Sequence, residues 1–236
     1  MNFQIALQET RYAKIRDLCH ASGKAADYAG RSFDDFDLKP FLEQVLAALP
    51  PSGTTGMHAL EYGTGTGPGA CYLASRGFQV EGIDLSATAI ELAREFAATR
   101  GLSISFRVGD IAQMPCDGPK YDLIVDNFCL HCIVSDAARA RTFQNVRSML
   151  QPGGYFIIGT ALQRPGRDFG ENLFVEETGI LYQRVPQFPK YQEAIQIEAE
   201  WYVPWRRYVT ASRLKAELQR AGWTIIVQEN GRVLCQ

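Results

Sequence analysis

The sequence predicts an α/β fold in which a mostly parallel sheet carries helices on both faces. Short apolar runs alternate with helical patterns from Met57 onward, as expected for parallel strands joined by crossover helices. A glycine-rich loop at residues 63–69 separates the first apolar run from a helix. Near the end, Asn230-Gly231 lies between two short apolar runs, which is a strong hairpin signal. The sheet should therefore finish with an antiparallel strand.

Composition limits the classes of function. Of the 236 residues, 46% are apolar and 21% charged, and the formal net charge is −2, so the chain offers no basic face for nucleic acid. No apolar run approaches the roughly 18 residues of a membrane span, and the N-terminus lacks a signal-peptide pattern. The six cysteines are scattered. We expect a cytoplasmic protein with no membrane or nucleic-acid partner, and a homodimer stays open.

Residues 1–52 predict a helical cap on a single domain that spans residues 1–236. One helix lies within residues 8–29, and Pro40 opens a second over 41–49 that Pro50-Pro51 ends. The first helix either folds over the ligand site or packs on the core. Its residues of interest are Tyr12, Arg16 and Tyr28.

Residues 57–162 carry the regular alternation and form the predicted ligand-binding core. The predicted strands are 57–62, 78–83, 104–108, 122–126 and 155–160. The predicted helices are 69–76, a helix capped by Ser86 that runs to about Arg100, and 137–150, closed by Pro152-Gly153-Gly154.

The last third of the chain begins with an aromatic-rich insertion at residues 163–208. Insertions of this length in compact domains usually have a function, so a wall or lid of an acceptor pocket is expected. A scaffold that packs on the sheet, or a dimer contact, is the alternative. Residues 209–236 then predict a helix over 211–221 and the C-terminal hairpin.

The glycine loop indicates a ligand that approaches the backbone. Backbone N–H groups at a helix N-terminus bind a diphosphate or a carboxylate. A dinucleotide frame, G-x-G-x-x-G/A, fits poorly because its third glycine falls on Pro68 when it starts at Gly63. The other frame is an acidic residue followed by G-x-G-x-G, and it fits without adjustment at Glu61, Gly63, Gly65 and Gly67. Asp84, at the end of the second strand, suits the ribose of either ligand.

Five segments in this order resemble class I S-adenosylmethionine-dependent methyltransferases. They are EYGTGTG (61–67), VEGIDLS (80–86), VGDI (108–111), YDLIVDN (121–127) and LQPGG (150–154). The resemblance covers residues 57–162 well and the C-terminal helix and hairpin in outline. It implies a Rossmann-like seven-stranded sheet, mostly parallel with a reversed C-terminal strand. It also implies S-adenosylmethionine as the methyl donor and S-adenosylhomocysteine as product.

The resemblance also implies roles for single residues in donor binding. Gly63, Thr64, Gly65 and Gly67 let the backbone approach the methionine part, and Glu61 lies beside it. Asp84 binds the ribose hydroxyls and Leu85 lies against the adenine. The remaining implied donor contacts are Asp110 to the adenine amino group, Ile111 along the ring, and Asp126 and Asn127 near the methyl.

The chemistry of this donor requires little from side chains. A methyl on a sulfonium is already activated, so positioning and water exclusion dominate, and a base is needed only if the acceptor must lose a proton. His131, just past the fourth strand, is the candidate base, against the alternative that it only packs in its loop. The aromatic candidates for acceptor binding are Phe128, Tyr182, Tyr202 and Trp205. Arg206 and Arg207 either meet an acidic acceptor or, as we expect, form a solvated pair.

No metal site is predicted. Cys129, His131 and Cys132 lie within four residues, but no second cysteine or histidine pair completes a site. Asp126 and Asn127 lack the further carboxylate that a magnesium site needs. We therefore expect a small-molecule methyltransferase, with the acceptor and its N, O, S or C nucleophile open. The alternatives are a nicotinamide-dependent oxidoreductase and a donor-binding protein without transfer activity.

Overall fold

A computed structural model describes residues 3–27, 33–48, 55–115, 120–185 and 193–236. In these ranges the helices are α1 Phe3–Ser22, α2 Lys39–Ala48, α3 Pro68–Ser75, α4 Ala87–Thr99, α5 Asp136–Met149 and α6 Ala211–Arg220. The strands are β1 His58–Tyr62, β2 Gln79–Asp84, β3 Ser105–Val108, β4 Tyr121–Asn127, β5 Leu150–Gly159, β6 Leu173–Val175, β7 Ile180–Val185, β8 Ile195–Ile197, β9 Glu200–Arg207, β10 Ile225–Glu229 and β11 Arg232–Cys235. A single 3₁₀ turn covers Leu130–Cys132.

Seven strands form the main sheet in the order β10-β11-β5-β4-β1-β2-β3. The pairs among β1 to β5 are parallel, whereas β11 is antiparallel to both β5 and β10. The hairpin turns at Asn230, which has the left-handed φ of 56° that this position favours. The predicted fold class, including the reversed C-terminal strand, is confirmed.

The sheet separates two apolar clusters. One contains residues of α1 to α4, with Leu38, Leu42 and Leu73 fully buried. The other contains residues of α5 and α6, including Phe143 and Leu214. Burial on both faces explains why β4 and β5 appear in the sequence as continuous apolar runs and not as alternating ones.

The helix ends agree closely with the sequence, with one difference after α5. The Ser86 hydroxyl accepts from the Ala89 amide, as predicted for the cap of α4. The segment Pro152–Gly154, predicted to be a loop, instead belongs to β5, which begins at Leu150 directly after α5. A register shift between β4 and β5 near Tyr121 accommodates this segment.

The aromatic insertion forms a second, four-stranded antiparallel sheet in the order β6-β7-β9-β8. These four strands were not predicted from the sequence. In β9 the strand pattern is interrupted by Pro204, and proline argues against a strand. A register shift opposite Leu181 and Tyr182 lets the proline fit. A bridge between Leu162 and Val209 brings the two ends of the insertion together.

Some expectations fall outside the described residues. These are Tyr28, the end of the second helix at Pro50-Pro51, and the insertion aromatics Phe188 and Tyr191. Over the part of the chain that the structure describes, no helix has the length and apolar character needed to cross a membrane.

Candidate functional site

A crevice of about 250 Å³ opens at the carboxyl ends of β1, β2 and β4. Ligands of open α/β sheets bind at this edge, where the strand order reverses. Its described lining is Gln8, Tyr12, Asp27, Phe36, Asp37, Gly63, Thr64, Gly65, Thr66, Pro68, Ile83, Asp84, Leu85, Gly109, Asp110, Ile111, Asn127, Phe128, Cys129, His131, Cys132, Ile133 and Arg206. The structure thus brings most of the sequence-predicted donor residues to one place.

Glu61 lies beneath the glycine loop and not on the crevice surface. Its side chain is fully buried, and its Oε2 accepts from the Thr64 hydroxyl and, at 2.8 Å, from the Ala70 amide. Burial raises the pKa of this carboxyl to about 7. Glu61 therefore holds the loop onto the first turn of α3, and the position of the loop depends on it.

Close packing explains two of the glycines. Gly63 and Gly65 have φ of 62° and 55°, which side chains rarely adopt. A Cβ on Gly63 would lie 2.4 Å from Cys129, and one on Gly65 would lie 2.8 Å from the Tyr12 hydroxyl oxygen. Gly67, the residue before α3, does not line the crevice. At Gly63 and Gly65 the loop backbone therefore lines the crevice without a side chain of its own.

Asp84 ends β2 and lines the crevice while only 6% exposed. Its two oxygens each accept one backbone hydrogen bond of 2.9 Å, from Gly65 and from Ser86. Burial raises the pKa of this carboxyl to about 6. The carboxylate is fixed in direction and each oxygen keeps a lone pair for a further donor.

Asp110 and Ile111 line the crevice after β3. The Asp110 oxygens accept from the Ala112 amide at 2.9 Å and from the Gln113 side-chain amide at 2.8 Å. Leu85 lies on the wall between Asp84 and Asp110. Carboxylates and apolar side chains thus alternate along this wall.

Asp126 and Asn127, the last two residues of β4, differ in whether they line the crevice. Asn127 lines the crevice, whereas Asp126 is fully buried behind it. Asp126 Oδ1 accepts from the Cys129 amide at 2.8 Å, and burial raises the pKa of this carboxyl to about 6. Asp126 therefore organises the turn that follows β4.

Helix α1 lies over the loop. Glu9 accepts from the Ala87 amide at 2.6 Å and from the Thr88 hydroxyl at 2.7 Å, which satisfies the N-terminus of α4. Tyr12 and Gln8 of α1 line the crevice. The sequence contained no signal for these contacts, because Glu9 and α4 are far apart in the chain.

His131 lies in the turn after β4, and its ring stacks on Tyr208 with centroids 6.0 Å apart. Burial lowers its pKa to about 3, with further lowering from the charges of Arg206, Arg139 and Arg167. Its Nδ1 is buried without a hydrogen-bond partner among the described residues. The imidazole is therefore neutral at pH 7, and the expectation of a base that titrates near neutral pH is not met.

The two adjacent arginines are not a solvated pair. Arg206 and Arg207 are only 4% and 9% exposed. Arg207 donates to the Val134 carbonyl and the Asp136 carboxylate, while Arg206 lines the crevice. Successive strand residues point to opposite faces, so one of two neighbours in a covered strand turns inward. That signal was hidden because β9 was not recognised as a strand.

The predicted acceptor aromatics divide between two locations. Phe128 lines the crevice with a left-handed φ of 63°. The described lining does not include Tyr182, Tyr202 or Trp205, which lie in β7 and β9. The role of these three in acceptor binding stays a prediction.

The cysteine pair lies in and beside the turn after β4. Burial raises the pKa of the Cys129 thiol well above its ordinary value and also raises that of Cys132. Both thiols are therefore protonated at pH 7. Within the described ranges, no group of three histidine, cysteine or acidic side chains is close enough to hold a metal ion.

The sheet order, the glycine loop and Asp84 together define a Rossmann-like α/β protein with a ligand crevice at the topological switch point. Residues 59–154 match the family described as methyltransferase domain. Over this segment, which is less than half of the chain, the resemblance to class I S-adenosylmethionine-dependent methyltransferases is confirmed.

The curated relatives are similar over the same core. A 2-heptyl-1-hydroxyquinolin-4(1H)-one methyltransferase of Mycobacteroides abscessus is 33% identical over 100 residues, which cover 42% of this chain and 44% of the relative. A ubiquinone biosynthesis O-methyltransferase of Coxiella burnetii is 29% identical over 105 residues, 44% of each chain. The matches thus span less than half the length of these relatives.

A solved structure described as a DhpI-SAM-HEP complex extends the likeness to the whole chain. It superposes with a TM-score of 0.61 and 18% sequence identity, and covers 99% of this chain and 95% of that one. At this identity the likeness shows the fold alone, and it includes the cap and the second sheet.

Proposed function

We propose that this chain transfers a methyl group from S-adenosylmethionine to a small-molecule acceptor. The observation that carries this proposal is the crevice itself. A glycine-rich loop and two directed carboxylates, Asp84 and Asp110, share one cavity at the switch point of a methyltransferase domain.

The lining chemistry fits this donor. The backbone at Gly63 and Gly65 suits an amino-acid tail, and a directed carboxylate such as Asp84 suits a ribose diol. Further along, Asp110 can accept from an adenine amino group while Leu85 and Ile111 supply apolar faces. Gln8 and Tyr12 of α1 also line this cavity, so the helix would partly enclose a bound donor.

The protein's contribution is to position the reactants and exclude water. When bound, the donor supplies a methyl that needs no further activation. Tyr12 and Gln8 close the crevice from the α1 side, and Asn127 lies where β4 ends beside it. The lining continues from Asn127 to Phe128, His131 and Arg206, and this end is where the acceptor would approach. Holding two reactants in one dry cavity supplies most of the rate in such a transfer.

The relatives support a small acceptor. One name specifies a 2-heptyl-1-hydroxyquinolin-4(1H)-one as substrate, and the other specifies O-methylation in ubiquinone biosynthesis. Those substrates belong to those proteins, and the walls beyond residue 154 lie outside the matched segments of the family. The proposal therefore extends to the class of small acceptors and not to either molecule.

Calorimetric titration tests donor binding. S-adenosylmethionine and S-adenosylhomocysteine should bind, and NADH should not. Asp84→Ala should lose about 1–3 kcal/mol of that binding, because it removes the acceptors for buried donors. The exposed Asp35→Ala is the matched control and should bind as the parent does. NADH binding without binding of the sulfur ligands would establish the oxidoreductase alternative instead.

An acceptor screen then separates an enzyme from a donor-binding protein. Formation of S-adenosylhomocysteine is measured across phenols, carboxylic acids, amines and thiols. Donor binding with no turnover on any class would favour the non-catalytic alternative.

A further inference from the structure

The end of the crevice lined by Phe128, His131 and Arg206 carries a buried cation, and we call it the cationic end. Arg206, in β9 of the second sheet, lines it while only 4% exposed. Its guanidinium lies 5.1 Å from the Trp205 ring centroid and donates to the Trp205 carbonyl at 3.1 Å. The charge is thus held in place by its own strand. Interactions with a fixed, buried charge are strong because water screens them little.

His131 faces the same space. Its ring lines the crevice, and its buried Nδ1 has no hydrogen-bond partner among the described residues. An atom with so little accessible surface cannot meet a ligand in the crevice, so a hydrogen bond from the imidazole to such a ligand would come from Nε2. The neutral imidazole can donate one hydrogen bond through Nε2 when that nitrogen carries the proton.

We propose that the acceptor is an acid that presents an oxyanion, a carboxylate or an ionised acidic hydroxyl, to Arg206 and His131. This inference rests on the proposed methyl transfer and adds the chemical class of its substrate. The carboxylates of the crevice, Asp27, Asp37, Asp84 and Asp110, belong to the cap and to the core strand ends, whereas the cation comes from β9.

Proton chemistry supports the same class. An imidazole with a pKa near 3 is too weak a base to deprotonate an alcohol or an ammonium group at neutral pH. A nearby guanidinium lowers the pKa of an acidic oxygen and disfavours a protonated amine. The acceptor therefore arrives without its proton. Its oxygen lone pair forms the O–CH₃ bond as the C–S bond breaks, and the electron pair of that bond stays on sulfur as a neutral thioether.

The test uses 4-nitrophenol, whose absorbance reports its own ionisation, with protein saturated by S-adenosylhomocysteine. Bound probe should be the phenolate, with its apparent pKa lowered by about one unit or more, a tenfold shift in acidity. Arg206→Gln should abolish the shift and Arg206→Lys should retain part of it. Benzoate should compete for the site, and benzamide should not.

The controls separate folding and donor binding from acceptor binding. Arg184→Gln removes an arginine of the same sheet that pairs on the surface with Glu200, and it should leave the shift unchanged. S-adenosylhomocysteine affinity, measured on every variant, reports an intact fold. If the parent does not bind S-adenosylhomocysteine, the proposed function is wrong. If the parent binds it, three results would overturn the acidic-acceptor inference alone: the probe binds in its neutral form, it binds equally well to Arg206→Gln, or it does not bind at all.

Discussion

The two ends of the crevice differ in both origin and charge. The donor end is built from loops that directly follow strands of the main sheet, and its charged groups are carboxylates, Asp84 and Asp110. The other end combines a turn after β4 with a strand of the second sheet, and Arg206 brings a cation to it, while Asp27 and Asp37 of the cap also line the crevice. One end therefore accepts hydrogen bonds from a ligand, and the other donates them.

This difference separates what is shared within a fold from what is particular to one chain. The donor end lies within the segment that matches the methyltransferase family, whereas β9 lies beyond it. A fold fixes where a ligand binds, and the walls added to it decide which ligand that is. The predictions below test each end separately.

The largest effect is expected at Arg139, which supports the turn of the cationic end. This residue is 2% exposed, pairs with both carboxylate oxygens of Glu217 and donates to the Leu130 carbonyl at 2.8 Å. Arg139→Met leaves Glu217 uncompensated and should lower the free energy of unfolding by about 3–5 kcal/mol. Urea denaturation measures this change.

Arg184 is the matched control for Arg139. It also binds two oxygens of one carboxylate, Glu200, but its side chain is 38% exposed. Arg184→Met should cost far less stability than Arg139→Met, because solvent screens the pair. Equal losses for the two substitutions would mean that burial does not distinguish them.

The sequence predicted the donor end well because each of its signals is local. Each signal is a short strand followed directly by a glycine or a carboxylate, and it occupies about ten residues or fewer. Gly63, Gly65, Asp84 and Asp110 could therefore be recognised. Even here the sequence could not distinguish a residue on the crevice surface from one beneath it. Glu61 and Asp126 were placed beside the donor, and both are buried behind the lining.

The cationic end was predicted poorly because its signals are non-local. Arg206 and His131 are 75 positions apart, and only the pairing of β9 with β7 turns Arg206 inward. Pro204 concealed that strand, so aromatic content drew attention to Tyr182, Tyr202 and Trp205 instead. Composition indicated that the insertion mattered but could not tell which side chains face the crevice.

A smaller effect, with a defined pH dependence, is expected at the donor end from Glu61. Its folded-state pKa, about 7, exceeds the usual 4.5, so the folded protein holds this proton more tightly than the unfolded chain does. Stability is therefore lost as pH rises from about 4.5 through 7. Glu61→Gln should match the parent below about pH 4.5 and exceed it by about 3 kcal/mol at pH 8.

Thermal unfolding at several pH values measures the Glu61 effect. Asp84 titrates in both proteins, so its contribution cancels in the difference, whereas the charge of Asp126 helps to raise the pKa of Glu61 and its contribution is part of the measured gap. Glu43→Gln, on the exposed face of α2, should give no such gap. Parallel stability curves for Glu61→Gln and the parent would contradict the raised pKa.

Next in size is the contact between the loop and α1. Gly65→Ala places a Cβ 2.8 Å from the Tyr12 hydroxyl at a φ of 55°, and should weaken S-adenosylmethionine binding about tenfold. Tyr12→Phe in the same chain should restore part of the affinity, because it removes the atom in conflict. Gly101→Ala has a similar φ of 65° with open space around it, and should leave donor binding unchanged. Additive effects of the two substitutions would show that backbone strain alone is responsible.

The smallest effect is expected at Glu9, the residue that joins α1 to α4. Glu9→Ala leaves the Ala87 amide and the Thr88 hydroxyl without their acceptor and should cost about 1 kcal/mol, the usual loss at a helix N-terminus. Hydrogen exchange should accelerate across Phe3–Ser22 and not in β4. The control Glu91→Ala, at an exposed position of α4, should leave stability and the exchange rates of α1 unchanged. Because α1 covers the donor end only, the dissociation rate of S-adenosylhomocysteine should rise while 4-nitrophenolate binding to the loaded protein stays the same. Unchanged exchange in α1 would mean that buried Tyr12 and Ile15 hold the helix by packing, without help from Glu9.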